Sequence, residues 1–173
     1  MLRKKFLISL IIIVIILLSY NNSSDYITNT INIKNSKPYE LPMARLIIPK
    51  LSIDKDIYSL NSYNNNIERN ITLLEGSVLP ENNTSIIFLA AHSGTSGVSF
   101  FSNLDKLNYD DIIVFVYNNY RYSYKVSNIY EQVKDGDIEV KKESSNQLVL
   151  TTCSSNKNKQ LIISSNLYKK IEA

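Results

Sequence analysis

The chain has 173 residues, 44% of them hydrophobic, enough for one domain with a real core plus extra segments. Its 19 basic and 16 acidic residues are interspersed and leave a net charge of only +3, without the concentrated basic stripe of a nucleic-acid binder. A single cysteine excludes an internal disulfide, and the crowding of Asn, Ile, Lys, Ser and Tyr reads as a compositional habit without functional meaning.

At the N-terminus, Arg3, Lys4 and Lys5 precede an uncharged run from Phe6 to Tyr20. As a helix this run spans roughly 22 Å, somewhat short of the ~30 Å hydrocarbon core. A cleaved signal peptide would end in a small-x-small site. Here "NNSSDY" follows, and the first alanine is Ala44. Residues 1–20 therefore read as an uncleaved signal-anchor, with the lysines at the inner face and Tyr20 at the outer one. The positive-inside rule then places the rest outside the cytoplasm. No second apolar run of this length follows. Residues 21–40 are polar and unpatterned, a stalk or linker. The folded domain is expected over 41–173.

The domain reads as a series of short strands. "ARLIIPKL" is the first, with Pro49 marking an edge or a bend. Two further strands fit within 52–80, around the polar loop "NSYNNNIERN". "SIIFLAAH" (85–92) is a nearly continuous apolar run, the mark of a buried strand. "SFFSNLDKL" (99–107) breaks the pattern: Phe100, Phe101, Leu104 and Leu107 have the spacing of one helical face. "DIIVFVY" (111–117) and the alternating "YRYSYKVSNIYEQV" (120–133) follow, with "YNN" as a hairpin turn between them. "NQLVLTTC" (146–153) and "QLIISSNLY" (160–168) complete the set. Six or more strands with a short helix argue for a mainly β protein, a closed or nearly closed barrel.

The only histidine, His92, and the only cysteine, Cys153, each end one of these apolar runs. Strand ends present side chains at a rim that substrate can reach. A cysteine nucleophile needs thiolate character, which a nearby imidazole supplies. Taken singly, a lone cysteine is more often an apolar filler and a lone histidine more often structural. The order, His before Cys, is the reverse of that in papain-like enzymes. Glu75 and Asp110–Asp111 read as exposed loop carboxylates, so no metal site is expected, and the glycines of "EGS" and "HSGTSG" lack phosphate-loop spacing.

"LVLTTC" resembles the Thr-Leu-x-Thr-Cys signature of sortases, with Leu150, Thr152 and Cys153 matching and Val149 in place of the first threonine. "IIFLAAHSG" is similar to the strand that carries the sortase histidine, with Ala91 where glycine is common. "FFSNLDKLNYDDIIVF", "LLEGSVLP" and "ARLIIPKLSIDKDIY" match the family's order and spacing, so the resemblance covers about 44 to 168. It implies an eight-stranded barrel with one or two short helices and a two-step cysteine transpeptidation without a cofactor. Cys153 would attack the threonine carbonyl of an LPxTG-like sorting signal and release the glycine-containing tail. The thioacyl group would pass to an amine of a peptidoglycan precursor or a pilin lysine. His92 would be general acid and then general base. Ala91, Ser93 and Thr152, with the loop "HSGTSGVS", would contribute to the peptide-binding wall, and backbone donors would help hold the oxyanion.

One position departs from the family. Sortases carry an arginine at the start of the strand after the cysteine; here "NKQLIIS" puts Gln160 there, and no arginine follows Arg121. A neutral amide gives weaker bonds than a guanidinium. Three explanations stand: Gln160 does a weaker form of the job, Lys157 or Lys159 supplies the charge, or the protein is slow or silent. Strand alternation turns Lys159 away from Gln160's side. The alternatives to a transpeptidase are a silent peptide-binding module and a cysteine hydrolase.

Overall fold

The computed structural model describes residues 40–81, 84–141, 144–156 and 158–173. The expected anchor, nearly all of the stalk and Lys157 lie outside the described residues. Among those described, no helix is long and apolar enough to cross a membrane. Glu40 already belongs to the domain: its carboxylate accepts from the Ser62 hydroxyl and from the Tyr63 and Asn64 amides.

Eight strands form one sheet: β1 (Ala44–Ile48), β2 (Ile53–Ile57), β3 (Thr72–Leu73), β4 (Ser85–Ala90), β5 (Ile112–Tyr117), β6 (Tyr120–Val133), β7 (Asn146–Cys153) and β8 (Lys159–Glu172). Their order is β2-β1-β5-β6-β8-β7-β4-β3. This is the expected eight-stranded barrel, nearly closed, with β2 and β3 at the two ends of the ladder. All pairs are antiparallel except β4 with β7.

Local chemistry explains the turns. Pro49 has no N–H to give a ladder, and it starts a 3-10 turn (Pro49–Leu51) that swings the chain from β1 back along β2. The bend reading of Pro49 holds, and β1 is not an edge, since it pairs with both β2 and β5. Asn118 and Asn119 both take positive φ, 49° and 63°, between the paired Tyr117 and Tyr120. A two-residue hairpin loop of this hand needs residues that tolerate that region, and asparagine does.

The interior is filled by alternate side chains. On β6 these are Tyr122, Tyr124 and Val126, facing Leu46, Phe115, Leu148, Leu150 and Ile163 in one buried cluster. The segment 99–107 is not the expected helix. It makes i to i−3 turns and a single 3-10 turn over Leu104–Lys106. The Ser99 and Ser102 hydroxyls donate to the carbonyls of Ser93, Gly94 and Ser99, offering the backbone other partners than a helical ladder. The apolar face was nonetheless real: Phe101, Leu104 and Leu107 are buried.

On β7 both faces are covered. Leu148 and Leu150 point into the core. Val149 and Thr151, on the outer face, are buried as well. Segment 134–141 crosses that outer face, tied down by Gln132 and Gln160, whose amides both donate to the Asp137 carbonyl (2.7 and 2.8 Å), and by Gln147, which donates to the Lys141 carbonyl (3.1 Å).

Candidate active site

The parallel register of β4 and β7 sets up the site. Ala90 lies opposite Thr151. Continued by two residues, this register puts His92 beside Cys153, on the outer face of neighbouring strands. The chain leaves the ladder there but stays close, because the Ser93 hydroxyl donates to the Cys153 carbonyl at 3.0 Å. Beneath them the buried Thr152 hydroxyl donates to the Ala91 carbonyl at 2.8 Å. The His92 carbonyl accepts from the Phe101 amide at 3.0 Å, so the buried Phe101 also anchors the loop after the histidine.

His92 and Cys153 open onto one groove of about 440 Å³. Its walls are largely apolar, including Ile67, Leu74 and Ile138, and Ala91, Thr152 and Gln160 also line it. Gly136 turns at the rim with a φ of 107°, a conformation that side chains disfavour. Cys153 is exposed and free. A second, more polar groove of about 350 Å³ reaches Cys153 from Ser93, Gly94, Asp105, Glu131 and Ser154. The first suits an extended peptide with apolar side chains, and both reach the thiol.

Two residues at the site were not singled out in the sequence. Glu68, from the polar loop before β3, places Oε1 3.0 Å from His92 Nε2. Lys134, just beyond β6, places Nζ 3.3 Å from Cys153 Sγ. Both are ordinary residues in polar segments. The one available signal was the alternation of β6, which carries Gln132 and then Lys134 to the same face. Cys153 pairs with Gln160 across β7–β8, and Gln160 pairs with Gln132 across β8–β6, so this face is shared.

Gln160 lines the groove, but its amide is engaged: Nε2 donates to the Asp137 carbonyl, and Oε1 accepts from Thr151 at 3.4 Å. Lys159 lies on the opposite face, 3.4 Å from Glu131. The Ser154 hydroxyl, the Asn156 amide and Lys159 together hold the Glu131 carboxyl below its usual range. Arg69 stacks on Tyr63, and Arg121 pairs with Ile171 at the far end of β6. Asp111, one of the loop carboxylates, accepts from Lys50 at 2.7 Å.

A sortase-domain model matches residues 46–168. The chain belongs to the sortase family. The structure is similar to that of sortase C1 from Streptococcus agalactiae, at 28% identity and a TM-score of 0.63, over 78% of this chain and 73% of that one. It shares its fold with sortase C-3 from Streptococcus pneumoniae (21% identity, TM-score 0.67, covering 80% and 67%). The same holds for a lid mutant of sortase A from Corynebacterium diphtheriae (22%, 0.62, covering 78% and 75%). No curated protein sequence matches the chain. The family is one of cysteine transpeptidases acting on sorting-signal proteins and amine acceptors, and this sortase domain has its barrel.

Proposed function

We propose that the protein is a membrane-anchored, extracytoplasmic sortase that joins proteins bearing an LPxTG-like signal to a cell-wall or pilin amine. The observation that carries this reading is the exposed Cys153 opening, with His92, onto a single peptide-sized groove. Cys153 is the nucleophile. Its thiolate attacks the threonine carbonyl carbon, the C–S bond forms, and the carbonyl pair moves to oxygen. On collapse the C–N bond breaks, and the leaving amine takes a proton from His92. An incoming amine then reverses the sequence, giving its proton to His92 and releasing the thiolate. Glu68 Oε1, 3.0 Å from His92 Nε2, holds the imidazole ring in a fixed orientation at the groove. The anchor reading rests on the basic residues before the apolar run 6–20.

The full chain in detergent, incubated with a panel of LPxTG-like peptides with and without an amine acceptor, tests this. The expected result is a thioester adduct on Cys153 by mass spectrometry and a ligated product with the amine. Cys153→Ala should abolish both. Hydrolysis without ligation would make the protein a hydrolase, and peptide binding without an adduct a silent module.

A further inference from the structure

We propose that Lys134 is the cation of the active centre, facing the reacting atoms from the end of β6. The inference deepens the transpeptidase reading and rests on it. A neutral residue, Gln160, stands where sortases carry arginine, and its amide is held by the Asp137 carbonyl and by Thr151. Lys159 pairs with Glu131 across the other face. Lys134 alone among the described cations touches the sulfur, at 3.3 Å.

Its placement is built in. The Lys134 amide donates to the Asn158 carbonyl at 2.8 Å, extending the β6–β8 ladder one step beyond the Val133–Lys159 pair. This fixes the Cα. The side chain then emerges two residues after Gln132, on the face shared with Cys153 and Gln160, and lines the same groove as His92. Among the described residues, no carboxylate forms an ion pair with its ammonium. The charge is therefore free to serve the sulfur.

The chemistry uses one cation twice. At rest the ammonium faces the sulfur. As the C–S bond forms, the negative charge passes from sulfur to the carbonyl oxygen on the attacked carbon. The flexible lysine stem lets Nζ follow, donating to the oxyanion until the C–N bond breaks and the carbonyl reforms. The ammonium gains and loses no proton. The ionic donor has moved from the strand after the cysteine to the end of β6, and Gln160 keeps the segment that carries Lys134 in place.

Two measurements on the full chain in detergent test this. The first compares alkylation of Cys153 by iodoacetate, an anion, with that by neutral iodoacetamide, at low salt. Lys134→Met should lower the iodoacetate-to-iodoacetamide rate ratio about fivefold, and Lys134→Arg should preserve it. The second is acyl-enzyme formation with the sorting-signal peptide found above. Lys134→Met should lower kcat about 100-fold with KM little changed, and Lys134→Arg should recover most of the loss. Unaltered melting temperatures establish that both variants fold. A ratio unmoved in Lys134→Met, or a kcat within threefold of the parent, overturns the proposal. If the parent chain forms no acyl-enzyme with any peptide, the transpeptidase reading fails, and the reagent ratio alone upholds or overturns the cation at the sulfur.

Discussion

Thr152 has a structural duty as well as a place in the groove wall. Its hydroxyl donates to the Ala91 carbonyl in the interior, tying the end of β4 to the end of β7 directly below His92 and Cys153. Thr152→Val keeps the shape and removes the donor, leaving that buried carbonyl without it. A loss of about 1–3 kcal/mol is expected, read as a lower urea midpoint, while Thr152→Ser should retain most of the stability. A valine variant as stable as the parent would show that the tie contributes nothing. At this scale the sequence was informative where residue types are rare. One histidine and one cysteine, each ending an apolar run, stood out, and the structure opens both onto one groove. Glu68 and Lys134 did not stand out, because glutamate and lysine are common in polar loops; strand register brings Lys134 to the rim, and Glu68 reaches it from the loop before β3. Gln160 was visible as a departure, but its partner, the Asp137 carbonyl, is a backbone atom that no motif encodes.

Among the elements, the strands were legible because burial imposes a period of two on β6 and a continuous apolar run on β4 and β7. The helix expected at 99–107 was not formed. Its apolar spacing was right for one buried face, but serine hydroxyls took up carbonyls locally, leaving successive turns. Segment 134–141 carried no readable period at all, since its position depends on side chains from three strands. Gln132 and Gln160 converge on the Asp137 carbonyl, and Gln132 also accepts from the Glu139 amide at 3.1 Å. These bonds hold the groove wall to which Gly136 and Ile138 contribute. Gln132→Ala or Gln160→Ala should each release about 1 kcal/mol of local restraint, speeding amide exchange over 135–141 roughly fivefold without changing exchange in β4 or β7. Exchange that rose equally throughout the barrel would mean the glutamines support the whole fold instead.

For the whole molecule, the order of the strands was beyond sequence pattern, because it is set by contacts distant in the chain: β1 with β5, β4 parallel to β7, and β8 between β6 and β7. Ion pairs and hydrogen bonds of its carboxylates set its response to acid. The Arg45 guanidinium holds the Asp54 carboxyl low across β1–β2. The Ser62 hydroxyl and neighbouring amides outweigh desolvation at Glu40, and the Ser154 hydroxyl leads at Glu131. At Asp111 burial pushes the carboxyl up, but Lys50 and the Asn108 amide outweigh it and leave it low. Each group binds its proton more weakly folded than unfolded, so the unfolded chain takes up more protons as pH falls. Their stabilisation is complete above the usual carboxylate range and is lost progressively as pH drops through the lowered folded values. The urea midpoint should therefore hold steady near neutrality and fall steeply below about pH 4. Asp111→Asn should flatten part of that fall, because Lys50 then faces a neutral amide at every pH. High salt should weaken the Arg45–Asp54 contribution more than that of the less exposed Lys50–Asp111 pair. A midpoint that stays level down to pH 2, or an Asp111→Asn profile parallel to the parent's, would show that these paired carboxylates do not govern the acid limit of the barrel.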